Sequence, residues 1–236
     1  MIDLNKYIAI TFIILVISII FFGISDIDYI VQDHFYNFTT HSWILDHDAQ
    51  PYKFIFYDGI KKVLIFIAIT FLISLIFFGK NKIIKEYKKG IMIVVLSAIL
   101  VPLIVNGLKK STNMPCPKNE IHYEGKMVKT AVWQRYAQPY KDMEHISCWP
   151  AGHASGGFAL LSLFFLFKTK KNRYIALNGA LLVGWSMGIY KMLIGDHFLS
   201  HTILTMIIAW LIVLVIKKFN SYLPITYNTI ATKLAI

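Results

Sequence analysis

Six long apolar runs, each nearly free of charge, decide what this chain can fold into. They are Tyr7–Gly23, Ile60–Gly79, Gly90–Leu108, Ala154–Phe167, Tyr174–Ile194 and Ser200–Ile216. Most approach the roughly 20 residues an α-helix needs to cross a bilayer core. The fourth is short and becomes adequate only if its helix starts near Gly152. With 56% hydrophobic and 16% charged residues, the chain lies outside the usual soluble range. The expectation is an all-α polytopic membrane protein with six transmembrane helices, forming a single domain over residues 1–236. No internal repeat, low-complexity tract or soluble domain stands out. The first run has little positive charge ahead of it, and Gly23-Ile24-Ser25 is a poor cleavage site. It reads as a retained span rather than a signal peptide.

The net charge of +11 suggests an anionic partner, but its distribution argues against nucleic acid. Lys80, Lys82, Lys85, Lys88 and Lys89 crowd the link between the second and third runs. Lys168, Lys170, Lys171 and Arg173 crowd the link between the fourth and fifth, and Lys217 and Lys218 follow the sixth. If every run crosses, all of these fall on one side, which the positive-inside pattern makes cytoplasmic. Both termini then lie in the cytoplasm. The outer side receives residues 24–59, residues 109–153 and the tight turn at 195–199. The first of these segments carries Asp26, Asp28, Asp33, Asp46, Asp48 and Asp58 against one lysine, and is rich in aromatics. Such a segment suits the outer interface or a loop packed on the helix ends, and the two are compatible.

The titratable residues converge at the outer ends of the runs. Lys109 and Lys110 end the third run. His153 sits in the first turn of the fourth, in "PAGHAS". Lys191 precedes the end of the fifth, and "GDHFLSH" then supplies His197 and His201. Ionisable groups gathered at one depth in a bilayer point to a site. Pro150 suits a helix start, and Ala151, Gly152 and Ala154 are small enough for a ligand to approach the backbone. Free amides in a helix's first turn favour an oxyanion there, so the spacing places His153 beside a held phosphate. Gly156 and Gly157 would let a neighbouring helix pack closely.

These residues resemble the type-2 phosphatidic acid phosphatase family of integral membrane lipid phosphatases, which has a six-helix core. Its motifs are K-x6-R-P, P-S-G-H and S-R-x5-H-x3-D. The stretches here are "KKSTNMPCP" from Lys109, "PAGH" from Pro150 and "YKMLIGDHFLSH" from Tyr190, all within residues 109–201. The resemblance implies that His197 is the nucleophile and forms a phosphohistidine. It implies that His153 protonates the leaving oxygen and later activates water. No metal or other cofactor is expected, because fixed cations neutralise the phosphoryl oxygens. Lys109, Lys191, Ala151 and Gly152 take phosphate-binding positions.

The chain departs from the motifs at four places. Cys116 replaces the first arginine, Ala151 the serine and Lys191 the second arginine, and His201 stands where the family has its orienting aspartate. The bidentate fork of arginine is thereby lost twice. Lys110, which can also snorkel to the interface, and Arg135 are candidate substitutes. Cys116 and Cys148 both fall outside, on ends that should meet. They are expected either to form a disulfide or to remain free thiols in an oxidising compartment.

The expected function is hydrolysis of a phosphomonoester or terminal pyrophosphate on an outer-leaflet lipid, in a bacterial inner membrane with the site facing the periplasm. Topology alone favours undecaprenyl pyrophosphate, with lipid A 1-phosphate and phosphatidylglycerophosphate behind it. The expected partners are this lipid phosphate and the surrounding membrane lipids, with no nucleic acid. A non-catalytic lipid-phosphate binder or transporter and a lipid phosphotransferase are the alternatives. A zinc site on His197 and His201 is weaker, since nearby lysines repel a metal.

Overall fold

The computed structural model describes residues 3–134 and 146–222. Helix α1 (Leu4–Ile24) is started by Asp3, whose carboxylate accepts from the amides of Asn5 and Lys6. A short α2 (Ile27–Gln32) and a two-stranded antiparallel hairpin, β1 (Tyr36–Asn37) with β2 (Ser42–Trp43), follow. A π-helical turn at Phe54–Gly59 leads into α3 (Ile60–Phe77). Helix α4 (Lys82–Ser111) is capped by the Asn81 side chain. Helix α5 (Gly152–Ala159) continues as a 3-10 helix through Phe165. Helices α6 (Lys170–Leu193) and α7 (Leu199–Tyr222) complete the described chain.

Four helical stretches are long and apolar enough to cross a membrane: Leu4–Ile24, Phe54–Phe77, Lys82–Ser111 and Leu199–Tyr222. The stretch Gly152–Phe165 is apolar but shorter. Helix α6 has the length, with 24 residues, but its basic start and Lys191 make it less apolar. Helix α4 begins at Lys82 rather than at Gly90, so its lysine-rich first turns are helical too.

The short helix is the central one. Helix α5 packs on α4, α6 and α7, while α1 lies on α7 and α3 lies on α4. Phe158, Val101, Val105, Ala209 and Val213 form the heart of the core and are fully buried. Two glycines set the closest approach. A Cβ on Gly157 would stand 2.7 Å from the Cα of Gly184, so α5 and α6 touch backbone to backbone. Helix α3 has no buried residue. It stands at the edge, presenting large apolar side chains such as Phe66, Ile76 and Phe77 outward.

The segments that follow α1 and α4 form a packed cap over the helix ends. Tyr36, Tyr123 and Phe198 cluster with Tyr29 and Trp43. Of the two compatible readings of residues 24–59, packing on the helix ends holds for these rings, while Phe38, Tyr52 and Phe54 remain exposed. The indole of Trp43 lies where a Cβ on Gly195 would project, and Gly195 has φ +72°, so glycine alone suits that turn. The cap is also pinned by polar contacts. Asp28 accepts from the Ser200 amide at 2.8 Å and from its hydroxyl at 2.5 Å. Gln32 donates to the Met192 carbonyl at 2.8 Å, and Tyr29 donates to Glu120.

Burial raises the Asp28 carboxyl from 3.8 to about 6, against the opposing hydrogen bonds from Ser200. Burial raises Glu120 from 4.5 to about 7 in spite of Tyr29 and Lys129. The folded chain thus holds protons on both groups where an unfolded chain has released them. Their contribution to stability is fully present below the ordinary carboxylate range. It is lost as pH rises through that range to about 6 for Asp28 and about 7 for Glu120. The thermal unfolding midpoint in detergent should therefore carry a downward component between about pH 5 and about pH 7.5. Glu120→Gln should flatten that component. A variant with the wild-type slope would contradict this account.

Candidate functional site

The site is assembled at the capped ends of α3 to α7. His153 is the second residue of α5, and α6 ends at a tight turn that carries His197 before α7 begins. The turn is shaped by backbone bonds from the amides of Asp196 and His197 to the Lys191 carbonyl, at 2.8 and 3.2 Å. His201 stands in the first turn of α7, four residues after His197, and faces it. The two Nδ1 atoms are 3.3 Å apart. The ring centroids of His153 and His197 are 6.1 Å apart. Three imidazoles from two helices and one turn thus form a continuous row.

The row is dry at one end. His201 is fully buried and His197 is 2% exposed. Among the described residues, His197 Nε2 and His153 Nδ1 have no hydrogen-bond partner. Burial pushes the His197 imidazole well below its ordinary pKa, and the neighbouring imidazoles and lysines push in the same direction. Burial therefore favours the neutral form of the His197 imidazole. One hydrogen is shared across the Nδ1 pair. If His197 donates it, His201 acts as a neutral acceptor in the place where the family has aspartate.

Asp196 organises the cations behind the row. Its Oδ2 lies 2.8 Å from Lys191 Nζ, and its Oδ1 lies 2.7 Å from Lys118 Nζ. Burial alone would raise this carboxyl, but the bonds from Lys118 and Lys191 outweigh it and hold the pKa below the ordinary value. Lys191 is buried and engaged rather than free. Its ammonium also lies 4.7 Å from the ring centroid of Tyr57, and that ring meets His153 edge to face at 4.8 Å.

In front of the row is a cavity of about 420 Å³ between α3, α4 and α5. Its polar end is formed by Tyr57, Lys61, Asn106, Lys109, Gly152 and His153. Its far end is apolar, with Leu64, Ile67, Val94 and Leu160 among its walls. The cavity reaches His153 but not His197, which lies behind it.

The expected site residues therefore divide. Lys109, Gly152 and His153 line the cavity, and His197 and His201 stand directly behind. Lys191 is close but paired. Lys110 is exposed and off the cavity wall. Ala151 does not offer its amide to a ligand: that amide donates to Thr205 Oγ1 at 2.8 Å and the residue is fully buried. No local pattern signals this, because the acceptor lies 54 positions away on α7. Arg135 lies outside the described residues. Tyr57, Lys61 and Asn106 were not expected at the site. Asn106 had a usable signal, since it precedes Lys109 by three residues and shares its helix face. Among the described residues no group of three His, Cys, Asp or Glu is placed to hold a metal ion.

Cys116 and Cys148 come together, with Cα atoms 5.2 Å apart, a separation suited to a disulfide. The pair ties the segment after α4 to the start of α5, next to His153. Alkylation of native protein without reductant should label neither cysteine, and reduction should expose both to the reagent. Two labelled thiols before reduction would contradict the pairing.

Comparison with known proteins adds two findings. Residues 90–224 match the family described as the PAP2 superfamily. The chain is also 27% identical over 188 residues to a lipid A 4'-phosphatase of Francisella tularensis subsp. novicida (strain U112), covering 78% of this chain and 82% of that protein. No solved structure matches.

Proposed function

This chain belongs to the PAP2 superfamily, and from that premise we propose that it is a six-span membrane lipid phosphatase working through a phosphohistidine on His197. The observation that carries the reading is the row of imidazoles. His197 keeps a nitrogen with no partner among the described residues, its ring centroid lies 6.1 Å from that of His153, and His153 opens on a cavity that is cationic at one end and apolar at the other. Such a cavity suits an amphiphile, with its phosphate at the lysines and its tail along α3 and α4.

In the first step His197 Nε2 forms a bond to phosphorus and the ester P–O bond breaks. The electron pair leaves on the lipid oxygen, which takes its proton from His153, charged by a proton handed over from the arriving phosphate monoester. In the second step neutral His153 removes a proton from water. The resulting oxygen attacks phosphorus, and the N–P bond breaks, returning the pair to His197. His201 accepts the Nδ1 hydrogen of His197 throughout and fixes its tautomer. Because His197 lies behind His153, side chains at the mouth must shift for phosphorus to reach it.

The lipid A 4'-phosphatase relative moves a phosphomonoester of a glycolipid to first place among substrates, ahead of undecaprenyl pyrophosphate and phosphatidylglycerophosphate. The lysines at the opposite helix ends support an inner membrane placement with both termini in the cytoplasm and the histidines facing outward. A non-catalytic lipid-phosphate binder is the second reading, favoured by the occlusion of His197.

Phosphate release from lipid A, undecaprenyl pyrophosphate and phosphatidylglycerophosphate in detergent distinguishes them. The expected result is release from lipid A above the other two, abolished in His197→Ala and reduced about 10²–10⁴-fold in His153→Ala. Release that is indifferent to His197→Ala, or no release from any of the three, would overturn the enzymatic reading.

A further inference from the structure

Where the family has its first arginine this chain has Cys116, drawn to Cys148. Where the family has its second it has Lys191, whose ammonium is held by Asp196 at 2.8 Å and whose side chain is 5% exposed. Neither position faces the cavity. A phosphate in the cavity needs cations from elsewhere, because a phosphomonoester carries close to two negative charges at neutral pH and the imidazoles of His197 and His201 are buried.

Two lysines stand on the cavity wall: Lys109 from α4 and Lys61 from the first turn of α3. Among the described residues neither makes an ion pair, unlike the nearby Lys118 and Lys191. Lys61 follows Tyr57 by four residues, so both look onto the same cavity from one helical face. The Tyr57 ring touches His153 and has the Lys61 ammonium 5.9 Å from its centroid. A lysine at the end of an apolar helix commonly does no more than reach for water. Lys62 supplies the comparison. It is adjacent, equally exposed and similarly close to an aromatic ring, that of Phe54, yet it lies off the cavity wall.

We propose that Lys61 is a phosphate-binding residue, which with Lys109 clamps the lipid phosphate at the cavity mouth and takes over the charge of the lost arginines. This rests on the reading of the cavity as the phosphate site. It makes α3, otherwise a peripheral helix outside all three motifs, a working part of that site.

The test is orthophosphate binding to the full chain in detergent, measured by calorimetry for the wild type and three variants. Lys61→Met should bind about 10-fold more weakly, the loss of one charge-assisted contact. Lys61→Arg should stay within about threefold of wild type, and Lys62→Met should be unchanged. Orthophosphate binding unchanged in Lys61→Met, an equal loss in Lys62→Met, or no binding by the wild type would overturn the proposal. Binding that depends on Lys61 in a chain that releases phosphate from no lipid would support this assignment and sink the phosphatase reading instead.

Discussion

Asp196 draws Lys118 and Lys191 onto its two oxygens, at 2.7 and 2.8 Å, and the outer end of the bundle depends on that pairing. The carboxylate sits in the turn immediately before His197. Its bonds reach back to α6 and across to the segment after α4, so the turn is held from both sides. Gly195 makes the turn possible, Trp43 covers it, and Asp28 anchors Ser200 just beyond it. The position of His197 is therefore fixed by charge pairing, by backbone geometry and by aromatic packing from three different segments.

The same pairing has an electrostatic consequence. Isolated charge in a poorly solvated place is costly, and a paired one less so. Lys191 is paired with Asp196, and burial is the main cause that holds the His197 imidazole below its ordinary pKa, with Lys109 and Lys191 adding to it. The unpaired cations, Lys61 and Lys109, face the cavity instead. Charge is thus sorted: buried imidazoles on the dry side and open lysines along the cavity. That sorting suits nucleophilic attack by nitrogen on a phosphate.

Much of this was legible in the chain itself. The apolar runs foretold a mostly helical chain, although four helical stretches are long and apolar enough to cross a membrane and the fourth run forms a short helix; His153, His197 and His201, expected together, do stand in one row. Helix α4 proved longer than its apolar run because Asn81 caps a lysine-rich start that was still helical. The roles of Ala151 and Asp196 were not legible, because each is decided by a partner distant in sequence: Thr205 for the first, Lys118 for the second. Tyr57 and Lys61 escaped for a different reason. A tyrosine and a lysine at the outer end of an apolar run have an ordinary place at a membrane interface. Only the packing of α3 beside α4 and α5 shows that they border a cavity.

The central claim is that His197 becomes covalently phosphorylated during turnover. Mass spectrometry of protein quenched in base during turnover with lipid A, with His153→Ala included to slow breakdown of the intermediate, tests it most directly. The account predicts a base-stable, acid-labile phosphoryl group on His197, more abundant in the His153→Ala protein. Turnover with no phosphorylated histidine, or with the group on another residue, would contradict it.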